Sequence, residues 1–531
     1  AAMAVLTGCG GDKKETAAAP AEGNTTAAVT EAAKTEAETT AAVQTEAGGE
    51  KNLVMPSASC VANLNPLLEG YKEAAMLNPI YDPLYVIDVN ETRYYLADSY
   101  EVSEDGMQIT VKLKEGLKWH DGEAITADDM IFTMDVCSDT NNGAGGTNIV
   151  ILNDQPVKYE KVDDLTVKVT LPMASASYAD LLGGLTLIPE HVFEGNPSVV
   201  SAGEANMKGI GSGPYKVTEF KQDEYLLLEK YEDYYMGAPS IDKVTFRIIS
   251  DLSAQEVALM NGEVNFMELA NAPAVAKYEA DPNFTVVKYP EGRVNYLAVN
   301  KFCETVQDPK VVEAVFAALN RDEIIAGAYG DGMAESANSI FSNVNTFYDP
   351  SVEGYTQDVE KAKQLVKETG LDSKTLTLYF NSERVYMKES AQIIQQQLKN
   401  VGINLEVIPL ESAGFFEKVF GTDGDYEFYL NGYGAVGDPD QVVAGMYDGT
   451  WGVNLAVSDE VSQLWKDART VYTPEERAAI YKQIQIQTRD ELTCYPIAYP
   501  NYVFVTTSNI KGADTIKRTP VFEDYTKLTM E

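Results

Sequence analysis

Apolar and polar positions alternate along several stretches of the first half of the chain, a pattern typical of half-buried β-strands. In YEVSEDGMQITVKLKEG, Ile109, Val111 and Leu113 share one face and Glu104-Asp105-Gly106 supplies a hairpin turn. GSGPYKVTEFKQDEYLLLEK predicts a second hairpin, and IDKVTFRII predicts a further strand. Near the start, KNLVMPSAS predicts a short strand that ends in a Pro/Ser loop, and NLNPLLEGYKEAAMLNPIYDPLYVID predicts a loop, a helix and a strand.

Apolar residues at helical spacing indicate several helices, most of them in the second half. Thr126 can cap one helix with Asp129 reaching back to it, and Asp308-Pro309 opens another. AQIIQQQLKNVG should end as a helix at Gly402 and pass directly into the strand INLEVIPL, and Thr473-Pro474 opens a further capped helix. Hairpins first and α/β units later predict an α/β protein with at least two lobes built on different mixed sheets.

The first fifty residues differ from the rest of the chain. Residues 1–9 have the appearance of the end of a signal peptide, and Leu6-Thr7-Gly8-Cys9 resembles the bacterial lipobox, in which the cysteine thiol accepts a diacylglycerol. Residues 10–50 are mostly Ala, Thr, Glu and Gly without aromatic side chains, so they are expected to form a disordered tether. About forty flexible residues have a root-mean-square reach of roughly 35 Å. We therefore expect a lipid anchor at Cys9.

Composition narrows the class of protein. The 531 residues are 45% hydrophobic and 23% charged, as in a soluble globular protein, but the formal net charge is -40. Nucleic-acid binding requires a basic surface, so this acidity argues against it, whereas mutual repulsion favours a soluble monomer outside the cytoplasm. No sequence stretch approaches the roughly 18 to 20 apolar residues that cross a bilayer.

The cysteines and histidines do not indicate a metal site or a catalytic residue. Beyond Cys9, the remaining cysteines are widely spaced and lack metal-ligand context, and we expect buried packing residues at Cys60, Cys137, Cys303 and Cys494. The two histidines, His120 and His191, also lack metal-ligand spacing. His120 lies in a turn beside Trp119, where we expect a structural role. No metal site, cofactor or catalytic residue is predicted.

A glycine-rich segment follows the predicted strand YEFYLN. Gly432-Tyr433-Gly434-Ala435-Val436-Gly437 matches GxGxxG, but a dinucleotide site needs a helix that opens within the glycines. Because Asp438-Pro439 comes directly afterwards, a helix is expected to begin there instead. The segment is better interpreted as a loop whose aromatic rings and carboxylates line a solute pocket, through Tyr433, Asp438, Asp440 and the nearby Trp451. A surface loop with a helix cap is the alternative.

The stretch YYLADSYEVSEDGMQITVKLKEGLKWHDGEAITADDMIFTMD resembles the signature region of the family 5 extracellular solute-binding proteins. These are the oligopeptide-, dipeptide- and nickel-binding receptors of ABC importers. Further matches follow in the family's order from about residue 52 to 510, including LTLIPEHVF, DPKVVEAVFAALNRDEII and IIQQQLKNVGINLEV.

The resemblance implies a two-lobed periplasmic-binding-protein-like fold of type II, with mixed sheets flanked by helices, an extra inserted subdomain and a hinge between lobes. Lobe I would consist of a base formed by 51–81, 209–291 and 496–531, with an insertion at 82–208. Lobe II would span 292–495. The chain would cross between the lobes near Glu291–Arg293 and Tyr495–Tyr499.

The resemblance also implies a set of ligand-binding residues. The loop after the first strand, two hinge tyrosines and the glycine-rich loop would face the cleft. In peptide-binding members an aspartate four residues before the loop proline holds the peptide's ammonium group, and here that residue is Ala435. The full predicted set is Ser57, Ser59, Cys60, Tyr296, Tyr433, Asp438, Asp440, Trp451 and Tyr499.

These observations predict a non-enzymatic, lipid-anchored substrate-binding protein on the extracytoplasmic face of a bacterial membrane. It would deliver a small polar solute, foremost a peptide, to an ABC permease and its ATPase. An oligosaccharide receptor of the same fold, a tethered extracellular hydrolase, and a sensor or adhesin without transport are the alternatives. The sequence offers no nucleotide-binding motif, so the partner ATPase would supply the energy.

Overall fold

The structure is a computed structural model that describes residues 50–68, 76–87, 91–434, 436–447, 455, 457–515 and 524–531. The strands within these ranges are β1 Asn52–Ser57, β2 Tyr85–Ile87, β3 Thr92–Tyr94, β4 Ala97–Val102, β5 Gln108–Leu113, β6 Ile151–Leu152, β7 Gln155–Pro156, β8 Lys158–Asp163, β9 Thr166–Thr170, β10 Tyr215–Lys221, β11 Tyr225–Lys230, β12 Lys243–Ile248, β13 Phe266–Glu268, β14 Phe284–Pro290, β15 Arg293–Val299, β16 Ala334–Ser336, β17 Thr375–Asn381, β18 Asn404–Leu410, β19 Phe428–Gly434, β20 Cys494–Thr507, β21 Ile510–Lys511 and β22 Thr529–Met530.

The α-helices of the described residues are α1 Ala127–Ser138, α2 Thr147–Val150, α3 Tyr178–Gly183, α4 Gly203–Asn206, α5 Leu252–Met260, α6 Ala272–Glu279, α7 Pro309–Ala318, α8 Arg321–Ala328, α9 Val359–Thr369, α10 Val385–Asn400, α11 Ser412–Phe420, α12 Pro439–Val442, α13 Ala444–Tyr447, α14 Asp459–Ala468 and α15 Pro474–Asp490. Within this part of the chain, no helix has both the length and the apolar composition needed to cross a bilayer.

The first sheet has the order β1-β12-β11-β10, with β1 parallel to β12 and the other neighbours antiparallel. Its alternating pattern places Leu53, Val244 and Leu226 in one core with no exposed surface. The predicted strand at KNLVMPSAS and the predicted hairpin β10–β11 are both confirmed. The helix predicted between NLNPLL and MLNPIY falls largely outside the described residues.

A second sheet, β4-β5-β9-β8, belongs to the segment between β1 and β10. The predicted hairpin β4–β5 is confirmed, and Ile109, Val111 and Leu113 are all buried beneath α1. Helix α1 begins after Thr126 with the predicted capping box, because the Asp129 carboxylate accepts a hydrogen bond from the Thr126 backbone N–H.

The largest sheet has the order β13-β20-β15-β19-β17-β18, and β14 and β16 also pair with β20. The predicted helices after Asp308 and Thr473 are α7 and α15, and Gly402 lies between α10 and the predicted strand β18. One face of this sheet packs on α7, α9 and α10, and the other packs on an aromatic core that contains Trp465.

A buried carboxyl lies in the segment between β1 and β2. Asp82, which is 5% exposed, accepts hydrogen bonds from the hydroxyls of Tyr234 at 2.9 Å and Tyr235 at 2.8 Å. Burial raises the pKa of Asp82 to about 7 against the opposing effect of the two tyrosines. Lys114 lowers and Asp524 raises this pKa through longer-range charge interactions. The chain therefore holds one of its own carboxyls between two tyrosine hydroxyls.

The described cysteines agree in part with the sequence prediction. Among the described residues, Cys137, Cys303 and Cys494 are free thiols buried in apolar cores, as predicted. Cys60 is only half-buried, because the loop after β1 lies at the surface of the first sheet. Cys9 lies outside the described residues.

Candidate functional site

Two chain segments connect the first sheet's core to the largest sheet's helical part. One is the turn between β14 and β15, where the Glu291 N–H donates to the carbonyl of Pro500 at 2.9 Å. The other is β20, which pairs with β15 and β16 through residues 494–500 and with β13 and β14 through residues 501–507. β20 thus exchanges one pair of neighbouring strands for the other directly after the predicted crossover Tyr495–Tyr499.

Gly292 lies in the turn between β14 and β15, which we call the first crossover. Its φ is +71°, and a Cβ atom there would lie 1.9 Å from Cγ2 of Val436 in the glycine-rich loop. Only glycine satisfies both the left-handed backbone and this contact. The crossover and the glycine-rich loop are therefore packed against each other.

The glycine-rich loop runs from the end of β19 to α12. The helix begins at Pro439, with the Asp438 carboxylate accepting a hydrogen bond from the Asp440 N–H at 3.0 Å. The helix start predicted from Asp438-Pro439 is confirmed, and the glycines precede the helix rather than opening it. The arrangement lacks the helix position that a dinucleotide-binding turn requires.

The Asp438 carboxylate is paired inside its own half of the molecule. Arg477 donates from Nη1 to Oδ2 at 2.6 Å and from Nη2 to Oδ1 at 3.0 Å, and Tyr481 adds a hydrogen bond at 3.3 Å. Asp438 and Arg477 are 7% and 5% exposed. Burial opposes the charge of Arg477, but Asp438 outweighs it and the pKa of Arg477 is raised. A guest ammonium would have to displace this bidentate guanidinium.

The Asp440 carboxylate, unlike that of Asp438, bonds to residues from two different regions of the chain. Arg469 donates from Nε to Oδ1 at 2.6 Å, while the hydroxyl of Ser177 donates to Oδ2 at 2.8 Å. Burial raises the pKa of Asp440 despite the nearby Arg469. Ser177 also accepts a hydrogen bond from Nε2 of Gln441 at 2.6 Å. Ser177 precedes α3 in the predicted insertion, so Asp440 is linked to the predicted first lobe.

Further hydrogen bonds join the same two regions. Asp180 accepts from the Asp438 N–H at 3.0 Å, and the Ala176 N–H donates to the carbonyl of Arg469 at 3.0 Å. Gly437 has φ +84°, and a Cβ atom there would lie 3.0 Å from Oδ2 of Asp180. We call residues 176–180, 437–441 and Arg469 the cross-contact cluster. It connects the segment predicted as the insertion with the segment predicted as lobe II.

The three predicted tyrosines lie together in the aromatic core of the largest sheet. Tyr433 donates to the carbonyl of Ile340 at 2.6 Å, and the hydroxyl of Tyr499 accepts from the Ser339 N–H at 3.0 Å. Tyr296 packs against Tyr433 with ring centroids 5.2 Å apart. Tyr296 is 1% exposed; burial raises the pKa of its hydroxyl, and a side-chain hydrogen bond with Asn431 opposes that shift.

The remaining predicted site residues lie apart from this core or outside the described residues. Ser57 ends β1, and its hydroxyl donates to the carbonyl of Ser59 at 2.7 Å. Ser57 and Cys60 are half-buried and Ser59 is exposed, so this loop lies at the surface. Trp451 falls outside the described residues.

A pocket beside the first crossover was not predicted as a unit from the sequence. It is a small, partly open pocket between the largest sheet and helices α8 and α10, with room for about one water molecule. Only Tyr296 among its residues was predicted. The signal that could have revealed it is the presence of polar residues in otherwise apolar strands, Asn295 in RVNYLAV and Asn431 in FYLNGYG. We call it the tyrosine pocket, and its lining residues include Asn295, Tyr329, Tyr386 and Ser390. Tyr296 and Asn431 also border it, but they are ladder neighbours on the aromatic-core face of the sheet.

The two histidines make different contacts. His191 Nε2 lies 2.8 Å from Oδ2 of Asp121, the residue that follows His120. His120 uses both ring nitrogens on backbone, with Nε2 2.9 Å from the Gly213 carbonyl and Nδ1 accepting from the Gly211 N–H. Burial lowers the pKa of His120 to about 4. His120 therefore has the structural role predicted for it.

Comparison with known proteins decides the family. Residues 91–454 match the family described as bacterial extracellular solute-binding proteins, family 5, middle region. The chain belongs to this family. The dipeptide-binding protein of Escherichia coli is 27% identical over 499 residues, covering 87% of this chain and 92% of that protein. The oligopeptide-binding protein AppA of Bacillus subtilis is 29% identical and covers 78% and 80% of the two chains.

Solved structures of family 5 proteins show the same fold. The ABC transporter substrate-binding protein CtaP of Listeria monocytogenes is 33% identical with a TM-score of 0.84, covering 91% of this chain and 99% of that one. AppA of B. subtilis in complex with a nonapeptide is 26% identical with a TM-score of 0.70, covering 91% and 99%. The predicted α/β, two-lobed periplasmic-binding-protein fold is confirmed, and the protein is a solute-binding member of family 5.

Proposed function

We propose that this protein is the extracytoplasmic substrate-binding lipoprotein of an ABC importer and captures a small polar solute, foremost a peptide, between two lobes. The similar proteins named for dipeptides and oligopeptides support the ligand class, as does the nonapeptide bound to AppA. The solute would be handed unchanged to a permease that its ATPase drives, and the binding protein would act as a monomer. Lipidation of Cys9 would hold it at the membrane.

The cross-contact cluster is the observation that carries a binding mechanism based on closure. Ser177 and Asp180 bond to residues 438–441, which follow β19 on the far side of the crossover segments. In our proposal, lobe I comprises 51–81, 209–291 and 496–531 with the insertion 82–208, and lobe II comprises 292–495. A guest that contacts both lobes only when they are closed shifts the equilibrium towards closure.

The pairing of Asp438 and Asp440 changes the role that we assign to them. Family members that bind peptides use an aspartate at the position of Ala435, and the two nearby acids are each engaged by an arginine. We propose that Asp438 and Asp440 stabilise closure, whereas the Ser57–Cys60 loop and Tyr296 contact the guest. This assignment predicts that neutralising Asp180 weakens every guest alike, because no guest touches it.

Native mass spectrometry of freshly purified protein, followed by a thermal-shift screen of di- to pentapeptides and oligosaccharides, tests the ligand class. A peptide should raise the melting temperature and be recovered intact, and X-ray scattering should show a more compact particle with it. If only sugars raise the melting temperature, the peptide assignment is wrong. Recovery of a cleaved peptide would support the hydrolase instead.

Membrane attachment is tested separately in the bacterial host. The full-length protein should partition into detergent with a lipid label, and Cys9→Ser should remove the label and release the protein. Cys60→Ser is the matched control, since that thiol is half-buried on the folded body. Retention of Cys9→Ser at the membrane would overturn the anchoring proposal.

A further inference from the structure

The turn of the β4–β5 hairpin is buried at its tip, although its neighbours face solvent. Glu104 and Asp105 are exposed, whereas Gly106 is buried. A Cβ atom at Gly106 would overlap Cζ and the hydroxyl oxygen of Tyr472, so the tyrosine ring lies directly against the backbone of this glycine. Hairpin turns ordinarily face solvent, so the hairpin by itself does not explain the ring that covers it.

The hairpin turn does not depend on Tyr472 for its own shape. The Gly106 N–H donates to the carbonyl of Ser103 at 2.8 Å. The Asp105 carboxylate accepts from the Ser103 hydroxyl at 2.6 Å and from the Met107 N–H at 3.0 Å. Because these local hydrogen bonds fix the turn, we expect it to keep its conformation when the tyrosine ring is removed.

Tyr472 belongs to the other proposed lobe. It lies in the loop 469–473 between α14 and α15, in the segment proposed as lobe II, whereas the β4–β5 hairpin lies in the proposed insertion. Burial raises the pKa of the Tyr472 hydroxyl, Asp105 of the insertion raises it further, and Arg477 of lobe II lowers it. The hydroxyl makes no hydrogen bond to a described residue, so the side chain contributes the packing of its ring.

The loop 469–473 contacts the insertion at two places. At its start the carbonyl of Arg469 accepts from the Ala176 N–H at 3.0 Å, a contact that belongs to the cross-contact cluster. Three residues later, Tyr472 covers Gly106, which lies outside that cluster. Neither the loop nor the hairpin contains a crossover segment, so nothing covalent holds them together locally. Both contacts must therefore break when the proposed lobes separate.

We propose that Tyr472 and the turn at Gly106 form a latch between the insertion and lobe II that slows release of the guest. This inference rests on the proposed closure around a guest and adds to it a residue pair outside the cross-contact cluster. The latch forms only after the guest has entered and the lobes have closed. It should therefore lower the dissociation rate constant and leave the association rate constant nearly unchanged.

The test measures both rate constants by surface plasmon resonance on the full-length protein, with the di- to pentapeptides that raise its melting temperature. Tyr472→Ala should raise the dissociation rate constant about 5- to 20-fold for every peptide and change the association rate constant by less than about 2-fold. Tyr472→Phe should restore slow release, because it keeps the ring and loses only a hydroxyl that no described residue uses.

Two glycines of the insertion provide a matched pair of variants. Gly106 and Gly116 lie in turns with φ of +66° and +75°, but a Cβ atom at Gly116 would meet no atom within 4 Å. Gly106→Ala should displace the Tyr472 ring and speed dissociation. Gly116→Ala should introduce similar backbone strain without that contact and keep slow release.

The possible results separate the latch from the proposed function. If peptides dissociate from Tyr472→Ala as slowly as from the unsubstituted protein, the contact does not act as a latch and the inference is wrong. Faster dissociation of only some peptides would mean that the ring touches the guest, which also overturns the inference. If no peptide binds any form of the protein, the proposed function itself has failed, and the latch fails with it.

Discussion

The carboxyl groups of Asp82 and Asp438 are both buried, but different side chains hold them. At Asp82 two tyrosine hydroxyls donate to the carboxyl. At Asp438 the guanidinium of Arg477 donates two hydrogen bonds to the carboxylate, and Tyr481 adds a third. Neutral donors hold one carboxyl and a cation holds the other, and this difference can be tested by removing one group at a time.

The buried ion pair of Asp438 and Arg477 should give the largest of these effects. Arg477→Ala should lower the free energy of unfolding by about 3–5 kcal/mol, since it leaves the Asp438 carboxylate buried without its guanidinium. Lys363→Ala is the control, because its pair with Glu360 is exposed and should contribute under about 1 kcal/mol. Urea denaturation measures both. A loss below about 1 kcal/mol in Arg477→Ala would show that the pair is not a structural one.

Removing the two hydroxyls at Asp82 should have the next largest effect. At pH 8, Tyr234→Phe combined with Tyr235→Phe should lower the free energy of unfolding by about 2–4 kcal/mol, because a buried carboxyl loses both donors. Tyr225→Phe is the control, because its hydroxyl bonds to Glu219 at an exposed position and its loss should change stability by no more than about 0.5 kcal/mol. Equal losses in urea denaturation would show that the Asp82 hydrogen bonds do not stabilise the fold.

The raised pKa of Asp82 also predicts that stability depends on pH. Its pKa is about 7 in the folded protein and near 3.8 as an ordinary aspartate, so the folded state binds more protons between these values. Its contribution to the free energy of unfolding should therefore fall as pH rises from about 4 to about 7. Asp82→Asn should flatten the stability profile across that window. An unchanged slope in denaturation series at pH 4.5, 6 and 7.5 would contradict the raised pKa.

The cross-contact cluster gives the smallest expected effect. Asp180→Asn and Ser177→Ala each weaken hydrogen bonds across the proposed lobes, and affinity should fall about 5- to 10-fold for every peptide, because a typical hydrogen bond contributes about 1 kcal/mol. The order of affinities among different peptides should stay the same. A loss confined to some peptides, measured by calorimetry, would mean that these residues touch the guest.

Much of the fold could be predicted because its signals are local. The hairpin β4–β5, the capping box at Thr126 and the helix start at Pro439 each depend on residues within a few positions of one another. The α/β, two-lobed fold followed from family motifs that span most of the chain. The lobe boundaries proposed from those motifs remain a prediction.

The site was harder to predict because its partners are distant in sequence. The arginine that engages Asp438 lies 39 positions away, and the serine that bonds to Asp440 lies 263 positions away. Nothing within the glycine-rich loop shows that both acids are already paired. Asn295 carried a usable signal, since it is an amide in an otherwise apolar strand, but only the folded sheet reveals that it donates to Tyr329.

β20 imposes a constraint on how this sequence can change. Its fourteen residues supply hydrogen-bonded neighbours to β15 and β16 in one half and to β13 and β14 in the other. An inserted or deleted residue near Pro500 would exchange the inward and outward faces of everything beyond it. Length variation should therefore be tolerated in loops far more readily than within this strand.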